Sequence, residues 1–248
     1  MRFTSQTSSD GVTEQLFALP FTFGAIPGVL WTPDTAVGAR PLILMGHGGG
    51  QHKAAPGIVA RARRFAAECG FAVAAVDAPG HGDRPRSEEL DLLITEMRAR
   101  MQNGGDVTPV LADVHALIAG QSVPEWRAVL DALQDLDHVG AGPVGYWGLS
   151  LGCGLGVPFV AAEPRVRAAV LGLNGDRQTS TEAAARITVP VEFLVQWDDE
   201  RVPRAEALTL FDLFASAEKT LHANPGRHGD VPLFELDSSV RFFTRHLG

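Results

Sequence analysis

The chain has 248 residues, 45% apolar and 20% charged, which is enough apolar material for one large packed domain and excludes global disorder. Its formal net charge of -8, with no Lys/Arg-rich block, argues against a nucleic-acid partner. The two cysteines, Cys69 and Cys153, make neither a CxxC pair nor a Cys/His cluster, so two buried free thiols are expected rather than a disulfide framework or a zinc site.

The first fifteen residues are polar, without an apolar leader core, and no apolar run reaches membrane-spanning length. The expectation is a soluble, cytoplasmic protein with no membrane partner. The segments before residue 40, among them "GVLW" at 28–31 after a Pro-Gly turn, read as an antiparallel edge. "PLILMGHG" at 41–48 is a continuous apolar run, and residues 57–68 follow with Ile58, Ala62, Phe65 and Ala66 on one helical face. "FAVAAVDAPG" at 71–80 is the next run. About 65 residues then pass before another strand signal, whereas a crossover needs as few as ~10–12. Inside that gap Leu90, Leu93, Ile94, Met97 and Met101 recur at helical spacing, "NGGDVTP" at 103–109 breaks the pattern, and Leu111, Val114, Leu117 and Ile118 mark a second short helix. Residues 84–122 therefore read as a small helical, lid-like insertion over the top of a sheet.

A further helix over 125–136 carries Trp126, Val129, Leu130, Leu133 and Leu136. "PVGYWGLS" (143–150), "VRAAVLGLN" (166–174), "VPVEFLVQW" (189–197) and "KTLHANPG" (219–226) are the remaining strands. Helical periodicity returns at 204–216 and in a last helix with Phe234, Val240, Phe243 and Leu247. Continuous rather than alternating apolar runs indicate strands buried on both faces. The class is α/β: one domain over 1–248, a mostly parallel doubly wound sheet with helices on both faces.

One stretch, "GYWGLSLGCG" at 145–154, places Ser150 in the pattern G-x-S-x-G. Chance produces these five letters on the order of once in ten such chains, so context must carry them. Here a buried strand precedes the serine and a helix start follows it, the setting a strained nucleophile turn requires. Serine is a poor nucleophile unless a base takes its proton. Among eight histidines, His228 lies in "NPGRHGDVP", after the last strand and before the last helix, where sites of doubly wound sheets form. His222, inside that strand, reads as a packed core residue. The loop after the preceding strand offers two carboxylates, Asp198 and Asp199, either able to hold an imidazole. The chain order serine, acid, histidine is that of nucleophile-elbow hydrolases. The glycines of "MGHGGGQHK" at 45–53 let backbone amides approach a carbonyl oxygen, and the N–H groups of Gly49 and Leu151 are the expected oxyanion donors.

In this order, HGGG at 47–50, "DAPGHGDR" at 77–84, GLSLG at 148–152, "DDERVP" at 198–203 and "GRHGDVP" at 226–232 resemble the α/β-hydrolase superfamily. Within it the chain is similar to small bacterial serine esterases of the dienelactone-hydrolase-like type, from about residue 25 onward. The resemblance implies the α/β-hydrolase fold, a small-molecule ester substrate, and no metal or organic cofactor. It also selects Asp199, because the family's D-x-x-V-P matches residues 199–203, and so implies a triad of Ser150, Asp199 and His228. Dienelactone hydrolases usually carry a cysteine nucleophile. The serine here favours general ester hydrolysis, with thioesters, lactones and carbon–carbon bonds as alternatives for the same machinery. A silent binding protein on this fold would be expected to lack a triad member. His81 and Asp83 read as loop-fixing residues and Arg84 as a candidate substrate contact. The apolar residues of 90–118 suggest an apolar acyl or alcohol group.

Overall fold

A computed structural model describes residues 1–248 apart from 23, 36, 176 and 177. In chain order it contains β1 (Arg2–Ser9), β2 (Val12–Leu19), β3 (Ile26–Pro33), β4 (Leu42–Gly46), α1 (Pro56–Cys69), β5 (Ala72–Val76), α2 (Glu88–Gln102) and α3 (Thr108–Gln134). Then come β6 (Val144–Leu149), α4 (Leu151–Ala162), β7 (Val166–Gly172), α5 (Gln178–Ala184), β8 (Val191–Gln196), α6 (Arg204–Leu213), β9 (Lys219–Asn224) and α7 (Phe234–Leu247). The strands form one sheet in the order β1-β2-β3-β5-β4-β6-β7-β8-β9. The pairs β1/β2, β2/β3 and β3/β5 are antiparallel, which is the expected edge, and every pair from β5/β4 to β8/β9 is parallel.

Every residue of β4, β5, β6 and β8 is buried, which is why β4, β5 and β6 are written as unbroken apolar runs, while β8 also buries the polar Glu192 and Gln196. Two cores result. On one face α1 and α7 cover the sheet, with Phe65 edge-on to Phe243 at 5.6 Å. On the other, α3, α4, α5 and α6 pack around Trp126, Tyr146 and Phe159, whose ring centroids lie 5.7 to 6.1 Å apart. Leu90 of α2 and Val114 and Ile118 of α3 form a smaller cluster with Ala78, Leu151 and Leu155 at the carboxyl ends of the strands. Of the two thiols, Cys153 is buried and Cys69 only half-buried. Among the described residues no helix is long and apolar enough to cross a membrane.

The chain passes from β4 to β5 on one side and then to β6 on the other, so the crevice of this sheet opens beyond the ends of β4 and β6. One expectation is corrected here. The helices read at 111–118 and 125–136 are a single helix, α3, which runs through Pro124. Pro124 and Gly120, whose carbonyl loses its partner, both face solvent, so water can satisfy the broken rung. The turn is also held from inside, where Ser122 Oγ donates to the Ile118 carbonyl at 2.8 Å.

The residue after Pro124 supplies the firmest tie. Glu125 accepts both terminal nitrogens of Arg84, at 2.6 and 2.7 Å, with both side chains almost wholly buried. This fork fastens the loop after β5 to the middle of α3. Removing one partner leaves an uncompensated buried charge, so Glu125→Ala should cost about 3–5 kcal/mol in urea unfolding. A loss below 1 kcal/mol would show that the pair does not hold these segments together.

Candidate active site

Ser150 sits at the junction of β6 and α4 with φ 57 and ψ -119. A non-glycine residue at positive φ is strained, and here its neighbours allow it. A Cβ on Gly152 would collide with the Gly46 carbonyl, and one on Gly148 would meet the Gly152 carbonyl. The Ser150 N–H donates to the Gly172 carbonyl at 2.9 Å, and the Tyr146 hydroxyl donates to the Gly152 carbonyl at 2.7 Å. The turn thus crosses its neighbours at backbone distance and is pinned on both sides.

His228 Nε2 lies 2.9 Å from Ser150 Oγ, and His228 Nδ1 lies 2.7 Å from Asp199 Oδ2. The other oxygen of Asp199 accepts the N–H groups of Arg201 and Val202 at 2.8 and 3.0 Å, which aims the carboxylate at the imidazole. Asp198 points elsewhere: its Oδ2 accepts the Gly226 N–H at 3.3 Å. Of the two adjacent acids, Asp199 is the one that meets the histidine. The His228 N–H donates to Glu200 Oε2 at 3.0 Å, and Gln196 Nε2 reaches the carbonyls of Pro225 and Arg227 at 3.4 and 3.2 Å.

A cavity of about 720 Å³ opens over Ser150 and His228, and Gly49 and Leu151 line it. Leu151 is the first residue of α4, so its N–H has no carbonyl behind it within the helix. The position of Gly49 depends on two anchors. His47 Nε2 accepts the Ala78 N–H at 3.0 Å, so its proton is on Nδ1, which donates to the Gly48 carbonyl at 2.8 Å. Burial pulls the His47 pKa down to about 4, against a smaller upward pull from the Gly48 carbonyl. Asp77, fully buried, accepts the Lys53 backbone N–H and Nζ, both at 2.8 Å, and the Asp83 N–H at 3.0 Å. Lys53 Nζ also pairs with Asp83 at 2.6 Å.

The fold resembles those of solved structures across the whole chain. A cold-adapted esterase from an Arctic intertidal metagenomic library, in its PEG-bound complex, is 32% identical, covers 100% of both chains and superposes with a TM-score of 0.82. The chain belongs to the α/β-hydrolase esterases. It is a carboxylesterase-type hydrolase. Acetyl xylan esterase 1 from Thermoanaerobacterium sp. JW/SL YS485 shares the fold at 17% identity, covering 98% of this chain and 87% of its own, with a TM-score of 0.72. Dienelactone hydrolase from Anabaena variabilis ATCC 29413 does so at 21% identity, covering 95% and 99%, with a TM-score of 0.64. No protein-family model and no curated protein matches the chain.

Some residues of the enzyme differ from their expected roles. Arg84 does line the cavity, but its guanidinium is spent on Glu125. His222 is half-buried rather than a core residue: its Nδ1 lies 2.7 Å from Glu235 Oε2, and its Nε2 3.8 Å from Glu192 Oε2. Among the described residues Glu192, His222 and Glu235 form one group of metal-type ligands, yet their facing atoms are engaged with one another and with Asn224, Ser238 and Ser239. The cavity wall carries Leu90, Ile94 and Met97 from α2, as the apolar spacing suggested. Arg86, Arg98 and Arg201, which sequence spacing did not single out, add cationic groups, and no Asp or Glu lines the cavity among the described residues.

The neutral state of His47 gives a pH signature. Its ordinary value of 6.5 applies to the unfolded chain and about 4 to the folded one, so the unfolded chain binds more protons between those values. Stability is therefore lost as pH falls from 6.5 towards 4, by up to about 3 kcal/mol. Urea unfolding at pH 7 and pH 4.5 should show this loss shrinking in His47→Asn. An equal loss in both proteins would rule out His47 as the source.

Proposed function

We propose that the enzyme hydrolyses a carboxylic ester of a small, partly apolar substrate through an acyl-enzyme on Ser150. The observation that carries this reading is the imidazole of His228 placed between Ser150 Oγ at 2.9 Å and Asp199 at 2.7 Å. Ser150 attacks the acyl carbonyl while His228 takes its proton and passes it to the leaving alcohol. Asp199 holds the tautomer with its proton on Nδ1 and stabilises the imidazolium that forms. The amides of Gly49 and Leu151 receive the tetrahedral oxyanion, helped by the amino end of α4. Water, deprotonated by the same histidine, then releases the acid. We read α2 and the first half of α3 as the cover of the acyl or alcohol site. The support is their apolar side chains over Leu151.

Intact-mass measurement after a fluorophosphonate probe should place one adduct on Ser150. On p-nitrophenyl acetate, Ser150→Ala should lower kcat by at least about a thousandfold with the fold intact. Asp199→Asn should lower it by about a hundredfold or more, because the tautomer is lost. Asp198→Asn should stay within about threefold of wild type. Full turnover by Ser150→Ala would overturn the assignment. A parallel panel of thioesters and lactones ranks the substrates open to the same chemistry.

A further inference from the structure

The loop 225–233 carries His228 between the end of β9 and the start of α7. Its anchors towards β8 and α6 are those of Gln196, Asp198 and Glu200 described above. Its two feet are joined by a different group. Asn224, the last residue of β9, donates from Nδ2 to Oε1 of Glu235, in the first turn of α7, at 2.7 Å. Both residues are buried. The other oxygen of Glu235 faces Nδ1 of His222, two residues earlier on the same face of β9, at 2.7 Å. Glu192, buried and with its carboxyl pKa pushed up by that burial, accepts the hydroxyls of Ser238 and Ser239 at 2.8 and 3.2 Å and so holds the next turn of α7 to β8.

None of these residues lines the cavity. A buried carboxylate with two donors is costly to leave without them, so it fixes the spacing of whatever those donors belong to. Here they belong to the strand that enters the loop, and the carboxylate to the helix that leaves it. We propose that Glu235 is a positioning residue of the reaction: by closing the foot of the 225–233 loop through Asn224 and His222, it sets the reach of His228 Nε2 to Ser150 Oγ. The proposal rests on the reading of Ser150 and His228 as the reacting pair.

The test measures wild type, Glu235→Ala, Glu235→Gln and Asn224→Ala on p-nitrophenyl acetate, well below the melting temperature of each. Inactivation by a fluorophosphonate, which reports on the serine–histidine pair without KM, is followed alongside. Opening the loop foot misplaces the base without touching the substrate site. Glu235→Ala and Asn224→Ala should therefore lose about tenfold or more in kcat and in inactivation rate. KM should move less than about twofold. Glutamine keeps an oxygen for Asn224, and its amide N–H donates to His222 once that ring carries its proton on Nε2, the atom that faces Glu192, so Glu235→Gln should return kcat to within about threefold of wild type. Should Glu235→Ala fail to fold, Asn224→Ala cuts the same link from its outer end and decides alone. A folded Asn224→Ala with kcat within about twofold of wild type overturns the proposal, as does a loss confined to KM. Wild type inert to both ester and fluorophosphonate would instead overturn the reading of Ser150 itself.

Discussion

The site depends on how closely the start of α4 lies on β4 and β6. Gly46, Gly148 and Gly152 meet there with no room for a side chain, and the carbonyl of Gly152 is held by the buried hydroxyl of Tyr146. This contact lets Ser150 stay at φ 57, a conformation that costs roughly 1–3 kcal/mol and must be over-determined by its surroundings. Gly156 continues the approach one turn on, where a Cβ would strike the Tyr146 ring. The strain is therefore offset by packing along the whole inner side of α4 rather than by any one bond. Widening the gap by a methyl group would move the helix and the serine hydroxyl with it.

Much of the scaffold could be read from the chain because its physics is local. β4, β5 and β6 are wholly buried and so are continuous apolar runs, and β7 and β8 keep that character apart from the exposed Arg167 and the buried Glu192 and Gln196; α1 and α7 keep one apolar face and so are periodic. The family resemblance is borne out on that scaffold. What was not legible depends on partners far along the chain. Pro124 reads locally as an end of helix, yet Glu125 is committed to Arg84, 41 residues away, and the helix continues through it. α5 is only seven residues long and gave no periodic signal. Asp198 and Asp199 are chemically alike, and the residues alone leave both open until the D-x-x-V-P resemblance selects Asp199; the physical reason is the turn that gives Asp199 two amide donors on one oxygen and frees the other for His228.

Three of the loops that converge on the cavity are tied from behind by buried acids. Asp77 holds the glycine loop after β4 through Lys53 and the loop after β5 through the Asp83 amide. Glu125 holds the far end of that second loop through Arg84. Glu235 closes the loop of His228. These acids bond to backbone amides, an asparagine or a cation, so each removes a loop's freedom to shift without presenting charge to the cavity.

On the proposed mechanism, that placement has an electrostatic consequence for acyl transfer. The protein carries a formal charge of -8, yet no Asp or Glu lines the cavity among the described residues, and Asp199 reaches the site only through His228. A carboxylate facing the bound carbonyl would oppose the negative charge that grows on its oxygen, in a setting where water screens little. Amides, glycines and arginines do not oppose it. The same acids placed behind the loops hold those amides in position before any charge develops, so the reaction need not reorganise them. Rigidity of the donors and exclusion of negative charge from the cavity are thus met by one arrangement, in which the acids stand one layer back from the substrate.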